Sequence, residues 1–213
     1  MSEKLSVIIG CMFAGKSTEL ARQYDRNQHA SLTGQAFKAS IDTRYGKPDK
    51  IVVHPQNKDG FQCVIELPAI AIPIERPQEI LEHLGPETQF IAIDEAQFFA
   101  PEIVAVTKQL LMRNIQVIIA GLPNDFRGEP FGSMPTLMAL ADQITQLTAV
   151  CKFSDNGKIC GQPATRTQRL INGQPAKYTD PIVLVGGAEA YTARCPSHHF
   201  VPGKPEILFQ SPK

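Results

Sequence analysis

Eight residues near the start of the chain, GCMFAGKS at positions 10–17, fit the spacing G-x-x-x-x-G-K-[ST]. No other stretch constrains the fold as strongly. The pattern needs a strand that delivers the chain to a tight turn and a helix that begins directly after it. LSVII (5–9) reads as a short buried strand, and Leu20 and Tyr24 fall at helical spacing beyond Ser17. In such a loop Gly10, Cys11, Met12, Phe13, Ala14 and Gly15 wrap phosphate oxygens with main-chain N–H groups, and Gly15 lets the backbone come close. Lys16 adds positive charge, and Ser17 offers a hydroxyl to Mg2+. The N-terminus of the following helix adds a favourable dipole. A chance glycine-rich turn would lack these flanks. Cys11 reads as a small packing residue before it reads as a nucleophile.

Further along, apolar runs and helical patterns alternate. Strands are expected near 35–39, at QFIAI (89–93) and at QVIIAG (116–121). Helices are expected at 76–84, with Pro77 in the first turn, after Pro101, and near 134–141. Alternation of this kind implies an α/β fold: a parallel sheet with helices on both faces. The stretch 42–60, rich in Lys, Asp, Pro and Gly, reads as a mobile loop. Near residue 150 the texture changes to Gly, Pro, Cys and His without a clear helix. The expected organisation is therefore a nucleotide-binding core at 1–150, a small unit at 151–203, and a poorly ordered tail at 204–213. Within the small unit RTQRLI and PIVLV read as short strands.

QFIAIDEAQ (89–97) ends an apolar strand in two adjacent carboxylates. Beside a phosphate loop, an Asp at this point, here Asp94, helps to hold Mg2+, and the neighbouring Glu95 can act as a general base. Alternation along an extended chain should point the two side chains differently. Ala96 and Gln97 complete the segment expected around the nucleotide. Phe98 and Phe99 follow; adjacent aromatics after a strand are usually core. Arg127 could steady phosphate charge or form an exposed salt bridge, and Arg44 with Tyr45 could reach phosphate from the polar loop. His29, His54 and His83 carry no motif and read as surface or helix-end residues.

The 21 Lys and Arg residues balance 21 Asp and Glu residues. A neutral total gives no support for long-range attraction to nucleic acid or membrane. No apolar run approaches the roughly 20 residues that span a bilayer. MSEKLSVIIG lacks the cleavage pattern of a signal peptide, so a cytoplasmic location is expected. Five cysteines without a leader argue for reduced thiols or metal ligands, not a disulfide framework. Cys151, Cys160, Cys195 and His198 (or its neighbour His199) form a possible Cys3His set for structural Zn2+. The eight residues between Cys151 and Cys160 exceed the usual two to four. Asp155, Asn156 and Gly157 are good turn residues, so the insertion can lengthen the knuckle loop while both thiols stay at the metal.

Several segments together resemble the type II thymidine kinase family: GCMFAGKS (10–17), IDTRYG (41–46), DEAQFF (94–99), GLPNDFRGEPFG (121–132), LTAVC (147–151), TRTQRL (165–170), VLVGGAEAY (183–191) and CPSHH (195–199). Their order matches the family from about residue 5 to 203. The family usually has Pro where this chain has Cys11, Ser or Asn where it has Ala14, and a shorter His-rich turn where it has PQNKDGFQ. The resemblance implies a RecA-like P-loop core, a small zinc-bearing lasso domain and a homotetramer. It implies ATP-dependent phosphorylation of thymidine and deoxyuridine, with feedback inhibition by dTTP. Glu95 matches the catalytic base, and Asp94 and Ser17 match residues near Mg2+. Phe98 and Phe131 match aromatic residues of the nucleoside pocket. Met12, Leu122, Thr167 and Tyr191 match residues around the thymine methyl group. Ile182, Val183, Leu184, Val185 and Gly186 match a lasso whose backbone reads the base. The family's C-x-x-H pattern selects His198 over His199.

The rival is a RecA-like ATPase that remodels nucleic acid or protein, with the zinc unit as a docking surface. A nucleic-acid motor should carry a basic groove and often a second ATPase lobe, and neither is evident. A kinase instead needs an enclosed pocket that keeps water from ATP.

Overall fold

A computed structural model describes residues 4–42, 49–53, 65–184, 186–187 and 189–206. Arg44, Tyr45, His54, Cys63, Val185, most of the 42–60 loop and the tail from 207 onward lie outside the described residues.

The core elements are β1 (Leu5–Ile9), α1 (Lys16–His29), β2 (Gly34–Ala39), β3 (Lys50–Val53), β4 (Ile65–Pro68), β5 (Ile70–Ile72), α2 (Glu79–Glu82), β6 (Phe90–Asp94), α3 (Ile103–Met112), β7 (Gln116–Gly121), α4 (Met134–Leu140) and β8 (Gln143–Gln146). Six strands form one parallel sheet in the order β5-β2-β6-β7-β1-β8. A single strand, β7, separates the strand before GCMFAGKS from the strand that ends in Asp94.

The central strands are apolar throughout because helices and a hairpin cover both faces. Side chains alternate between the faces. Leu5, Val7, Ile9, Phe37, Ile91, Ile93, Val117 and Ile119 pack with Ile80, Ile103, Leu110 and Leu137 from α2, α3 and α4. Ile8, Ala36, Phe90, Ala92, Ile118 and Ala120 pack with Leu20, Ala21 and Tyr24 of α1 and with Ile51 and Leu67 of the β3–β4 hairpin. Because the strands run the same way, their carboxyl ends share one edge. Gly10, Asp94, Gly121 and Leu147 all leave the sheet there, which is where parallel sheets bind ligands.

Two sequence expectations change. The 76–84 helix contracts to one turn, Glu79–Glu82. Its start is held by bonds three residues apart, from Glu79 N–H to Arg76 O and from Ile80 N–H to Pro77 O, so the first turn has 3-10 character. PIVLV forms no strand over its described residues; its apolar side chains face a pocket instead.

Beyond the sheet the chain builds short pairings: β9 (Ala149–Val150) with β12 (Pro163–Ala164), β10 (Ser154–Asp155) with β11 (Lys158–Ile159), and β13 (Arg166–Ile171) between β14 (Gln174–Pro175) and β15 (Tyr191–Arg194). This layer lies over the carboxyl edge of the sheet. The main-chain N–H of Met12 donates to Thr167 Oγ1 at 3.0 Å, and the Cys11 thiol donates to Ala164 O at 3.2 Å.

Gly34 opens β2 beneath the Phe90 ring, which meets Tyr24 edge-on at 4.9 Å while the Tyr24 hydroxyl donates to Gly34 O. A Cβ at position 34 would lie 2.1 Å from that ring. Gly34→Val is expected to destabilise by about 1–3 kcal/mol through overpacking. A chain of this size should then lose about 2–4 °C in melting midpoint per kcal/mol. An unchanged midpoint in thermal unfolding would show that Phe90 yields freely.

Candidate active site

GCMFAGKS folds as the sequence requires. Gly15 adopts a left-handed conformation (φ 83°) directly before α1. Gly10 has no room for a side chain, since a Cβ would lie 2.8 Å from Leu147 O. Phe13 also takes a positive φ, 66°, and stands about half exposed. Lys16 is buried and its Nζ donates to Cys11 O at 3.1 Å, a bond that curls the loop over its own lysine. Cys11 packs against Ala149, Ala164 and the cysteines of the knuckle described below. Burial pushes its thiol up from the ordinary range, which fits packing and not nucleophilic use.

Asp94 and Glu95 diverge, though strand alternation is not the cause. Asp94 ends β6 and accepts a hydrogen bond from the Ser17 hydroxyl at 2.8 Å. Glu95 takes a left-handed conformation (φ 55°, ψ 41°) that ends the strand and swings its carboxylate the other way. Such a conformation is uncommon for a residue with a side chain and costs of order 1–3 kcal/mol. A short 3-10 turn, Ala96–Phe98, follows and sorts its neighbours. Ala96 and Phe99 enter the core, whereas Phe98 faces the pocket.

Gln97 has a role the sequence reading missed. Expected near the nucleotide, it is buried with its amide nitrogen on Glu95 Oε2, and its carbonyl accepts from Leu122 N–H at 2.9 Å. It holds the carboxylate to the end of β7. Two glycines clear its space. A Cβ on Gly121 would lie 2.9 Å from Gln97 Oε1, and one on Gly132 would lie 2.3 Å from the Gln97 main-chain carbonyl oxygen. These contacts lay in GLPNDFRGEPFG, whose glycines were the only available signal.

Glu95 opens onto a pocket that Met12, Phe98, Leu122, Phe131, Thr167 and Tyr191 also line. Phe98 and Phe131 meet edge to face at 5.7 Å. Ile182, Val183, Leu184 and Gly186 form part of the wall. Asp125 and Phe126 line it as well, without having been singled out by sequence. Arg127 forms a salt bridge, though not the exposed one expected: it pairs at 2.8 Å with Asp125, which is buried, and lies over the Tyr178 ring.

Cys151, Cys160, Cys195 and His198 converge, with ligand atoms all within 4.8 Å of one another. His198 Nδ1 lies 3.3 Å from Cys195 Sγ and 3.7 Å from Cys151 Sγ. Tetrahedral Zn2+ at ordinary bond lengths sets ligand atoms roughly 3.5–3.8 Å apart, so the set fits. The long spacing is absorbed outside the cluster. β10 and β11 form a hairpin around Asn156–Gly157, both at positive φ, and Cys160 N–H returns to Phe153 O at 2.8 Å. Phe153 stacks on the His198 ring at 4.1 Å. His199 turns away and donates from Nε2 to Phe126 O, which removes it as the competing ligand. Burial raises the Cys151 thiol, but main-chain hydrogen bonds from Cys195 and Phe153 and the His198 ring outweigh it, bringing the group down to about 6. That favours the thiolate a metal needs.

A phosphate-loop motif on one side of Glu95 and a pocket on the other match the layout of a P-loop kinase. The family model described as thymidine kinase matches residues 3–199. A thymidine kinase of Coprothermobacter proteolyticus is 48% identical over 206 residues, covering 97% of this chain and 95% of that protein. The chain belongs to the thymidine kinase family.

Gln97→Leu should loosen the Glu95 carboxylate and lower kcat by about 10–100-fold, since it removes the buried amide that orients the carboxylate expected to act as base. A kcat within twofold of wild type would show that Glu95 is oriented by other contacts. Metal analysis of protein purified without added zinc should find one Zn2+ per chain and a clear loss in Cys160→Ser. Full occupancy in that variant would exclude Cys160 from the ligand set.

Proposed function

We propose that this chain transfers the γ-phosphoryl group of ATP to the 5′-hydroxyl of thymidine, giving dTMP, with deoxyuridine as a second acceptor. The observation that carries the reading is the place of Glu95, between the Ser17–Asp94 pair and a mainly apolar pocket open on one side. Membership of the family over nearly the whole chain supports it.

In this reading Gly10–Ser17 cradle the ATP phosphates, and Lys16 meets the β/γ oxygens. Ser17 and Asp94 would hold Mg2+, which neutralises charge on those oxygens. Glu95 takes the 5′-hydroxyl proton late, as phosphoryl transfer proceeds, because the hydroxyl has a high pKa. Phe98 and Phe131 flank the nucleoside. Met12, Leu122, Thr167 and Tyr191 enclose the 5-methyl group, and the backbone of Ile182–Gly186 reads the edge of the base. The Cys151, Cys160, Cys195 and His198 knuckle would hold structural Zn2+, which staples the lid layer in place. Feedback inhibition by dTTP and a homotetrameric state rest on the family resemblance, and a cytoplasmic location belongs to the same reading. Among the described residues no helix is long and apolar enough to cross a membrane.

An ATP-dependent transfer assay with a panel of deoxynucleosides tests the proposal. Thymidine should stimulate ADP formation. A methyl pocket discriminates by only about 1–3 kcal/mol, so deoxyuridine should still react. Deoxycytidine presents a donor where thymine presents an acceptor, so it should be a poor substrate. ADP formation indifferent to nucleoside would favour the remodelling ATPase. Glu95→Gln should lower kcat by about 10²–10⁴ with ATP binding retained. Near-normal turnover would remove Glu95 from the mechanism.

A further inference from the structure

One buried charge has no part in the chemistry above. Arg169 lies in β13, only 5% exposed, with its guanidinium 5.4 Å from the centre of the Phe126 ring. No acidic partner is found for it among the described residues, and its Nε has no hydrogen-bond acceptor there. A buried cation without a carboxylate and with an idle donor is expensive to keep. A purely structural role would be served as well by an apolar side chain of similar size.

What Arg169 does hold is the start of the pocket wall. Its Nη1 donates to the Pro181 carbonyl. Directly across the antiparallel pair stands Tyr191, whose hydroxyl donates to the Leu184 carbonyl at 2.7 Å. Partners in register present side chains to the same face. The two therefore grip one short segment, Pro181–Leu184, at its two ends. Among the described residues that segment makes no backbone-to-backbone hydrogen bond, so these two side chains are the contacts that hold its carbonyls. Its side chains Ile182, Val183 and Leu184 line the pocket and remain 40–42% exposed. Phe126, beneath the Arg169 guanidinium, lines the same pocket.

We propose that Arg169 is a positioning residue that fixes the register of the 181–184 wall, so that its backbone is set before the nucleoside arrives. This rests on the reading of the pocket as the nucleoside site. A segment without backbone-to-backbone bonds must otherwise be ordered at the moment of binding, and that cost falls on nucleoside affinity. The loss of a preset wall falls on thymidine and not on ATP, whose phosphates meet a loop held by other contacts.

Wild-type protein is first assayed with thymidine. Arg169→Met is then compared for both KM values, kcat, and the melting midpoint without thymidine. The expected result is a KM for thymidine raised about tenfold or more, a KM for ATP within about twofold, and a midpoint unchanged or higher. Arg169→Lys retains a cation over Phe126 and one donor for Pro181, so it should recover part of the thymidine affinity. If the Met variant does not fold, the Lys variant decides: a thymidine KM raised about threefold or more with ATP unaffected supports the assignment. An unchanged thymidine KM in either folded variant overturns it. So does a parallel rise in both KM values with a lowered midpoint, which marks a general structural role. Wild-type protein inactive on thymidine would overturn the nucleoside reading itself, and this inference with it.

Discussion

The hydrogen bond from the Ser17 hydroxyl to Asp94, 2.8 Å long and largely shielded from water, joins two segments that lie 77 positions apart. Ser17 belongs to the first turn of α1, and Asp94 is the last residue of β6. With β7 between β1 and β6, the two ends can meet only if the parallel sheet holds its register. A charge-assisted hydrogen bond of this kind is worth about 1.5–3 kcal/mol, and it also fixes where a cation can sit. The loop is gripped from its other side as well. Thr167 accepts from Met12 N–H, and Ala164 O accepts from the Cys11 thiol. A phosphate loop held on both sides loses little freedom when phosphate arrives.

Around that contact the site is arranged by small violations of local preference. Glu95 occupies a left-handed conformation normally left to glycine. The strain is held in place by Gln97, which in turn needs the bare backbones of Gly121 and Gly132. Each of these residues makes poor sense alone and good sense as part of a buried chain that ends on one carboxylate. Buried polar chains of this type position a group rigidly only when every member is satisfied.

The lid layer solves a different problem. It is too small to bury much apolar surface, and its strands are two to six residues long. The Cys3His knuckle substitutes for a core, and it packs against Cys11 of the phosphate loop. The Cys3His cluster and the phosphate loop therefore share one apolar cluster. The hairpin around Asn156–Gly157 shows how a knuckle tolerates a long spacing: the insertion pairs with itself and projects outward, leaving the two thiols together.

Much of this was legible in the sequence. GCMFAGKS announced its strand, loop and helix because phosphate binding imposes glycine where backbone must approach. QFIAID and QVIIAG announced buried parallel strands because both faces must be apolar. The Cys and His types at 151, 160, 195 and 198 pointed to a metal site, and the fold brings the four ligand atoms together as such a site requires. The pocket residues were found by resemblance, since Met12, Leu122 and Tyr191 are distant in sequence and carry no local pattern. Tertiary structure alone decided that Phe98 faces the pocket while Phe99 enters the core, that Ile182, Val183 and Leu184 line a cavity instead of pairing as a strand, and that Gln97 serves Glu95. The reason is physical. Local sequence fixes periodicity and permitted backbone angles, whereas the partner a side chain meets is set by which distant element packs against it, and that is a property of the assembled fold.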